Sequence, residues 1–317
     1  MTSRETGEAA LALEFEAHRP RLLRLAYAST GSLAEAEDCV REAWLRLQRA
    51  PDRADIRDLG AWLTTTVSRL ALDALGSARA RRERATGPWL PEPVVVFPDD
   101  AGADPADRVT LDESVSMALL VVLETLSPAE RTAFVLHDVF GVEFTEIAGV
   151  VGRSPAAVRQ LASRARRHVQ GDRPRFPPTR AQQRELVAAF TSACYDGDLE
   201  RLMTLLDPEV TWRADGGGAV RATPRSAHGA RQIARVLLAF ARRPPRQVRM
   251  ALVNGSPGLV LTDADGVLTV LALTADAGRI TAIDVIRDPA KLGRVRAALT
   301  GATVVSCWQK PAGRSEQ

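Results

Sequence analysis

The chain has 317 residues, of which 45% are hydrophobic and 26% charged, with 22 glycines and 19 prolines. This length predicts about two domains, and the composition excludes the disordered, collagen-like and coiled-coil classes. The longest apolar run, Met117 to Leu123, has seven residues, and the N-terminus has no basic-then-apolar leader. We therefore expect a cytoplasmic protein with no membrane span and no secretory signal. Three distant cysteines without a C-x-x-C pair predict free thiols.

The net charge of +3 is the sum of segments whose net charges differ in sign. In chain order, the basic and acidic counts are 14 and 14 for residues 1–92, one and seven for 93–124, six and four for 125–171, and 21 and 14 for 172–317. Arginines concentrate in residues 79–84 and 152–171, where a polyanion would dock. The acidic run 99–107 is expected to be solvated.

The first part of the chain carries helical patterns of apolar residues. We predict a helical domain over residues 8–86, with one helix before a break at Gly31 and Ser32, a second from Leu33 and a third over residues 61–77. Five prolines from Pro88 to Pro105 then exclude continuous helix. Residues 87–107 are therefore predicted to be a proline-rich and acidic linker.

A second helical domain is predicted over residues 108–171. Ser127-Pro128 and Ser154-Pro155 each place a capping serine before a proline at the first helical position. Gly152 gives a tight turn between a short helix and an arginine-rich one. This is the helix-turn-helix pattern.

The C-terminal part has a different texture. A second linker over residues 172–180 leads into an α+β domain over residues 181–302, followed by a tail of residues 303–317. Apolar runs on both faces of two strands predict a sheet with helices on one face and packing or a cavity on the other. Three hairpin signals predict an antiparallel meander: Asn254-Gly255, Asp265-Gly266 and Asp276-Ala277-Gly278.

The helix from Pro155 leaves arginine, glutamine and serine side chains on its outer face. Arginine and glutamine make bidentate contacts to guanine and adenine edges, and further arginines neutralise phosphates. The alternative is a solvated basic face, but the preceding glycine turn and capped helix favour DNA reading. The candidate contacts are Ser154, Arg159, Gln160, Ser163, Arg164 and Arg167.

A second candidate DNA surface lies on the third helix. Aromatic and hydroxyl side chains beside a basic cluster suit single-stranded DNA, although a lone tryptophan is more often a core residue. The candidates are Trp62, Thr65, Arg69, Arg79, Arg81 and Arg82. On the second helix, Asp38 and Glu42 lie at positions i and i+4, away from Trp44.

Together, residues from about Phe15 to Gln170 resemble the extracytoplasmic-function sigma factors of bacterial RNA polymerase. The resemblance implies that Asp38, Arg41 and Glu42 bind the polymerase clamp. The helix that begins Ala61-Trp62-Leu63 would recognise and melt the minus-ten element, and residues 144–167 would read the minus-thirty-five element. The implied partners are core RNA polymerase and promoter DNA, with no cofactor, metal or catalytic activity.

Two motifs are similar to a sigma subgroup with a C-terminal SnoaL-like domain of the cone-shaped NTF2-like fold: Trp89-Leu90-Pro91-Glu92-Pro93 and the run from Val158 to Arg166. In that subgroup the extra domain is implied to regulate the sigma activity in place of a membrane anti-sigma factor. It does so through a glycine-rich loop ending in lysine and an Asn-Pro-Asp-Lys-Leu motif. The residues implied in this contact are Trp89, Leu90, Pro91, Glu92, Pro93, Asp215, Gly216, Gly217, Gly218, Asp288, Pro289, Lys291 and Leu292; Ala219 stands in the place of the loop lysine.

The triple glycine permits close backbone approach, so it predicts a docking surface for the linker, with a flexible strand-end loop as the alternative. The predicted fold class is therefore multidomain: two all-α sigma domains, the second with a helix-turn-helix, and an α+β cone-shaped domain. Two other functions remain open. One is a ligand-sensing or catalytic cone, with Asp215, His228, Tyr195 and Asp284 as candidate groups. The other is an ordinary helix-turn-helix repressor.

Overall fold

The computed structural model describes residues 3–50, 56–82, 88–97, 115–172, 176–222, 225–241 and 245–301. The chain forms two compact units. The helical unit is Met1–Ala85 with Asp104–Arg173, and the sheet unit is Thr86–Ala103 with Pro174–Gln317. The first half of the predicted linker therefore belongs to the sheet unit. Predictions for the acidic run, for a helix before residue 115 and for the tail lie outside the described residues.

The helical unit begins with three mutually packed helices: α1 (Ser3–Thr30), α2 (Leu33–Arg49) and α3 (Leu59–Arg82). Gly31 adopts a φ of 73°, which ends α1, and the Ser32 hydroxyl accepts a hydrogen bond from the Glu35 amide to start α2. Both boundaries confirm the predicted break. The third helix extends beyond the predicted residues 61–77 at both ends.

The same unit continues with α4 (Met117–Leu123), α5 (Pro128–Phe134), α6 (Phe144–Val151) and α7 (Pro155–Asp172). The predicted capping box is present, since Ser127 and Glu130 exchange hydrogen bonds at the start of α5. A π-helical turn, Val135–Val139, follows α5, and Gly152 ends α6 with a φ of 69°. Buried Arg131 donates to the Ala28 carbonyl, which ties α5 to α1.

The sheet unit contains four described helices and seven described strands. The helices are α8 (Arg180–Asp196), α9 (Leu199–Leu205), α10 (Ala230–Ala241) and α11 (Gly293–Gly301). The strands are β1 (Val95–Val96), β2 (Leu206–Asp215), β3 (Ser226–His228), β4 (Gln247–Val253), β5 (Ser256–Thr262), β6 (Leu268–Asp276) and β7 (Arg279–Ile286). The predicted α+β class is confirmed.

The seven strands have the order β1-β4-β5-β6-β7-β2-β3. Strands β4 to β7 form the predicted meander through the three predicted hairpins. Outside the meander, β2 pairs with β7 in parallel, a pairing that the hairpin signals do not predict. The connection between them is long enough for a parallel return, since it contains β3, α10 and the first three strands of the meander.

One face of this sheet packs on helices α8, α9 and α10, with Phe190, Trp212 and Ile283 in the core. Side chains alternate along a strand, so Asp215 and Arg249 point to the opposite face, next to the core residues Ala214 and Val248. On that opposite face the cross-strand neighbours Val260, Val270 and Ile286 are buried. Of the two predicted alternatives for this second face, a packed surface or a cavity lining, the structure shows a packed surface.

Cys39 and Cys194 are free thiols, as predicted. Burial, with the neighbouring carboxylates of Glu35, Asp38 and Asp73, raises the pKa of Cys39 to about 11. Burial raises the pKa of Cys194 to about 12. Among the described residues, we find no helix with the length and hydropathy needed to cross a membrane.

Candidate nucleic-acid interface and linker site

The recognition helix α7 presents the predicted face. Val158, Ala162 and Ala165 are buried on one side. The predicted contact residues are all exposed: Ser154, Arg159, Gln160, Ser163, Arg164 and Arg167. The Ser154 hydroxyl accepts a hydrogen bond from the Ala157 amide, so this residue also caps the helix. The helical period therefore identified the outward side chains correctly.

Two of these arginines are held by neighbours. The Arg159 guanidinium lies 5.5 Å from the centre of the Phe144 ring, and Arg164 Nε lies 3.1 Å from a Glu130 carboxylate oxygen. The hydrogen bond from the Ser127 hydroxyl, aided by Arg164, lowers the pKa of Glu130. Glu130 is therefore ionised at neutral pH and orients Arg164.

The predicted minus-ten residues lie along α3. Trp62 and Thr65 are half-buried, while Arg69 is exposed and donates a 3.0 Å hydrogen bond to the Gly149 carbonyl on α6. Helix α3 also packs on α5, and Arg21 donates to the Thr64 hydroxyl beside this contact. Helix α6, which α3 contacts, also packs on the recognition helix α7. Arg79, Arg81 and Arg82 belong to the last turns of α3, and their side chains are outside the described part.

The predicted polymerase-binding residues lie on the outer face of α2. Asp38 and Arg41 form an exposed ion pair of 2.8 Å, and Glu42 pairs with Arg46 at 2.9 Å. The opposite face of α2 is buried against α1 and α3. Exposed ion pairs of this kind contribute about 0.2–1 kcal/mol to stability. Breaking one of them to bind a charged group of a protein partner therefore costs little.

In the sheet unit, the linker motif meets the two C-terminal motifs at one buried cluster. Asp215 accepts hydrogen bonds from the Leu90 amide at 2.9 Å and from Lys291 Nζ at 2.5 Å. Lys291 also donates to the Leu90 carbonyl at 2.6 Å and lies 4.1 Å from the centre of the Trp89 ring. We call Trp89, Leu90, Asp215 and Lys291 the linker node.

In the glycine loop, Gly216 to Gly218, neighbouring atoms come close to the backbone. Gly217 has a φ of 61°, and a Cβ added there would lie 2.2 Å from the Asp288 side chain. A Cβ at Gly216 would lie 2.0 Å from the Val220 carbonyl oxygen. Gly217 also donates its amide to Asp215. Gly216 is therefore required by space, because the clash is with backbone, and Gly217 is favoured by its left-handed φ, which argues against a merely flexible loop. Gly218 has open space around it but a φ of 76°.

The other motif residues lie around the node. Pro91, Glu92 and Pro93 are buried in the sheet unit, and Leu292 is 1% exposed. The Leu292 amide donates to the Pro289 carbonyl, which closes the turn that carries Lys291. The structure therefore brings the linker motif, the glycine loop and the second motif together.

A second contact of the linker was missed by the sequence reasoning. Val95 and Val96 pair with Val253 and Leu252, so the linker adds strand β1 to the edge of β4. Phe97 is buried with its ring 4.2 Å from the Arg249 guanidinium. The run of three valines and a phenylalanine within a proline-rich segment was the available signal.

The residues proposed for a catalytic cone are dispersed. Tyr195 and His228 are exposed, whereas Asp284 is fully buried and paired with Arg213. A surface groove of about 480 Å³ is lined by His228 but not by Tyr195, Asp215 or Asp284. Within the described residues, no cluster of three histidine, cysteine or acidic side chains could hold a metal ion. These positions do not assemble an acid and base around one substrate site.

Comparison with known proteins agrees with this geometry. The family model for Sigma-70 region 2 matches residues 15–81, and that for Sigma-70, region 4 matches residues 116–169. The ECF RNA polymerase sigma factor SigJ of Mycobacterium tuberculosis is 41% identical over 319 residues, 95% of this chain and 97% of that protein. The probable ECF sigma factor SigI of the same species is 39% identical over 90% of this chain and 96% of its own length. The crystal structure of SigJ matches with a TM-score of 0.75 and 40% identity, covering 89% of this chain and 98% of that one.

A helix-turn-helix packed beside a three-helix bundle defines a DNA-binding transcription protein. The chain belongs to the extracytoplasmic-function sigma factors of RNA polymerase. It binds core polymerase and promoter DNA and directs transcription initiation, as the members of that family do, and it is not an enzyme. Its fold combines the two all-α sigma regions with a C-terminal α+β domain of the SnoaL-like, NTF2-like class.

Proposed function

We propose that the sigma factor reads the minus-thirty-five element with the exposed face of α7 and the minus-ten element with α3. The observation that supports the first role is the separation of α7 into a buried apolar face and an exposed face of arginine, glutamine and serine. On α2, Asp38, Arg41 and Glu42 would bind the polymerase clamp. The compartment is then the cytoplasm, where the polymerase works.

Replacing Gln160 by alanine should weaken promoter binding of the holoenzyme by roughly 5- to 150-fold, because a bidentate base contact is worth about 1–3 kcal/mol. The measurement is the affinity for a labelled promoter fragment at fixed salt. His168→Ala is the matched control, since His168 is exposed on the same helix outside the proposed contact set. Equal affinities of the two variants would contradict the role of Gln160.

The α3–α6 contact bears on the second role. Arg69 is proposed to bind minus-ten DNA, yet its guanidinium donates to the Gly149 carbonyl of α6. This hydrogen bond uses one N–H of Nη2, and a guanidinium has four further N–H donors. Arg69 can therefore bind a DNA phosphate while it stays joined to α6.

The C-terminal domain is proposed to regulate this sigma factor in cis by holding the linker. Asp215 and Lys291 bind both main-chain polar groups of Leu90, and their exposed side-chain fractions are only 6% and 11%. The segment between the two sigma regions is thereby fixed to a third domain. Regulation of this kind requires no separate anti-sigma factor.

Run-off transcription with core polymerase tests the regulation. Full-length protein is compared with a chain that ends after Asp172, which keeps both sigma regions. We expect the truncation to change promoter-specific transcript yield by at least severalfold at equal occupancy of core polymerase. Equal yields would contradict regulation in cis, and failure of the full-length protein to bind core polymerase would contradict the initiation role.

A further inference from the structure

We propose that the edge of β4, with Asn254 and Arg249, is a second linker-binding site that accepts residues 94–97 as an added strand and is separable from the linker node. Without β1, strand β4 is the terminal strand at that side of the sheet. Its occupant is the linker of the same chain. The inference rests on the proposed regulation, because it concerns how the linker is released.

The first support is the position of Asn254 at the end of β4. Its φ is 49°, in the left-handed region, as the Asn-Gly turn to β5 requires. Its amide donates to the Val94 carbonyl at 2.8 Å, and its side-chain Oδ1 accepts the Val94 amide at 3.1 Å. In a regular antiparallel pair the second bond would go to a main-chain carbonyl. The side chain of Asn254 therefore replaces a ladder acceptor where the chain turns away.

The second support is Arg249 at the other end of the contact. It is 8% exposed, and its Nη1 is buried with no hydrogen-bond partner. A buried cation is costly unless something offsets its desolvation. The Phe97 ring, 4.2 Å from the guanidinium, provides a cation–π contact and covers it. Arg249 is thus better satisfied when the linker is docked, so it favours the docked state.

The site contacts mainly the main chain of the linker. Asn254 binds both polar groups of Val94, and the β1–β4 pairing uses the backbones of Val95 and Val96, whose side chains are only half-buried. Recognition by strand addition draws affinity from main-chain hydrogen bonds and specificity from a few side-chain pockets. Here the pocket residue is Phe97. The linker node instead binds the main chain of Leu90, so the linker is bound both at the node and at the edge of β4.

Amide hydrogen exchange on the full-length protein, resolved to single residues, tests the site. Asn254→Gly keeps the left-handed turn but removes the acceptor, whereas Asn254→Asp keeps both. We expect Asn254→Gly to speed exchange of the Val94 amide by roughly 5- to 150-fold, since an unsatisfied buried amide costs about 1–3 kcal/mol. In Asn254→Asp the retained oxygen should keep Val94 more protected than in Asn254→Gly, although a carboxylate at a site only 5% exposed lowers stability. Leu90 should remain protected in both.

A companion variant tests recognition of the main chain. Replacing Val95 and Val96 together by threonine keeps β-branched side chains and should leave exchange of Val94 within about threefold. Loss of protection in this variant would show that the site reads side chains and would overturn that part of the proposal.

The remaining outcomes are also decisive. Unchanged exchange of Val94 in Asn254→Gly would overturn the second site, and equal loss of protection at Leu90 would show that node and edge are one site. Transcription is measured on the same variants. If truncation after Asp172 leaves transcription unchanged while Asn254→Gly frees Val94, the regulatory proposal fails and the binding site stands.

Discussion

Replacing Arg213 by methionine is expected to lower the free energy of unfolding of the sheet unit by about 3–5 kcal/mol, because it leaves a buried carboxylate without its partner. Asp284 is 0% exposed. Arg213 donates from Nε and Nη2 to its two oxygens, at 2.6 and 3.1 Å. The measurement is denaturant-dependent hydrogen exchange of the β7 amides, which reports on the sheet unit alone.

The same variant should show a stronger pH dependence of its stability than the natural protein. Burial already raises the pKa of Asp284, and the Arg213 charge counteracts this rise. Without Arg213, the folded state keeps a proton on Asp284 at pH values where the unfolded chain, with an ordinary pKa of about 3.9, has lost it. The free energy of unfolding should therefore fall as pH rises above about 4, until the raised pKa is passed.

Two controls isolate the ion pair. Adding Asp284→Asn to Arg213→Met removes the titrating group, so the pH dependence attributed to it should disappear. Arg235→Met removes an exposed arginine from α10 and should change stability by less than about 0.5 kcal/mol. A pH dependence that survives in the double variant would contradict the assignment to Asp284.

Replacing Lys291 by methionine is the second change with a large expected effect. It removes the ammonium that joins Asp215 to the Leu90 carbonyl and leaves Asp215 buried. We expect linker docking at the node to weaken by about 3 kcal/mol, which is roughly a hundredfold, and transcript yield to shift in the same direction as on truncation. Exchange of the Leu90 amide and run-off transcription are the two measurements.

A double-mutant cycle of Lys291→Met with Asp215→Asn measures the interaction between these two side chains apart from their other contacts. The Leu90 amide bonds to Oδ2 of Asp215 and the Gly217 amide to Oδ1, so the single oxygen of an asparagine can accept from one of them. If the two side chains act together, the double variant should cost clearly less than the sum of the single variants. Strictly additive effects would show that Lys291 and Asp215 hold the linker independently.

The helices and the recognition face were predictable because their signals are local. Ser127, Gly152 and Ser154 mark helix ends by short-range hydrogen bonds and backbone conformation, and the 3.6-residue period places Gln160 outward. The parallel pairing of β2 with β7 has no such signal, since it depends on which distant strand completes the sheet. The π-helical turn after α5 likewise depends on packing within the unit.

The node was predicted only through a family resemblance, and the edge site was missed for a physical reason. A two-residue strand among prolines carries too little pattern to be recognised, and it forms only because β4 offers an unpaired edge. Asn254 was correctly assigned to a turn. Its hydrogen bond with the Val94 amide could not be predicted, because Val94 and Asn254 are 160 positions apart and meet only in the folded chain.

That separation of 160 positions between Val94 and Asn254 also sets a sequence of events during synthesis. At about 5–20 residues per second, the ribosome makes Asn254 roughly 8–30 s after Val94. During about the second half of this interval, once residue 171 has been made, the nascent chain has both sigma regions but no Asn254 to hold the segment between them. Chains still being made, and chains terminated before Asn254, therefore lack the contact between the linker and β4. Each complete chain forms this contact only when its C-terminal domain folds.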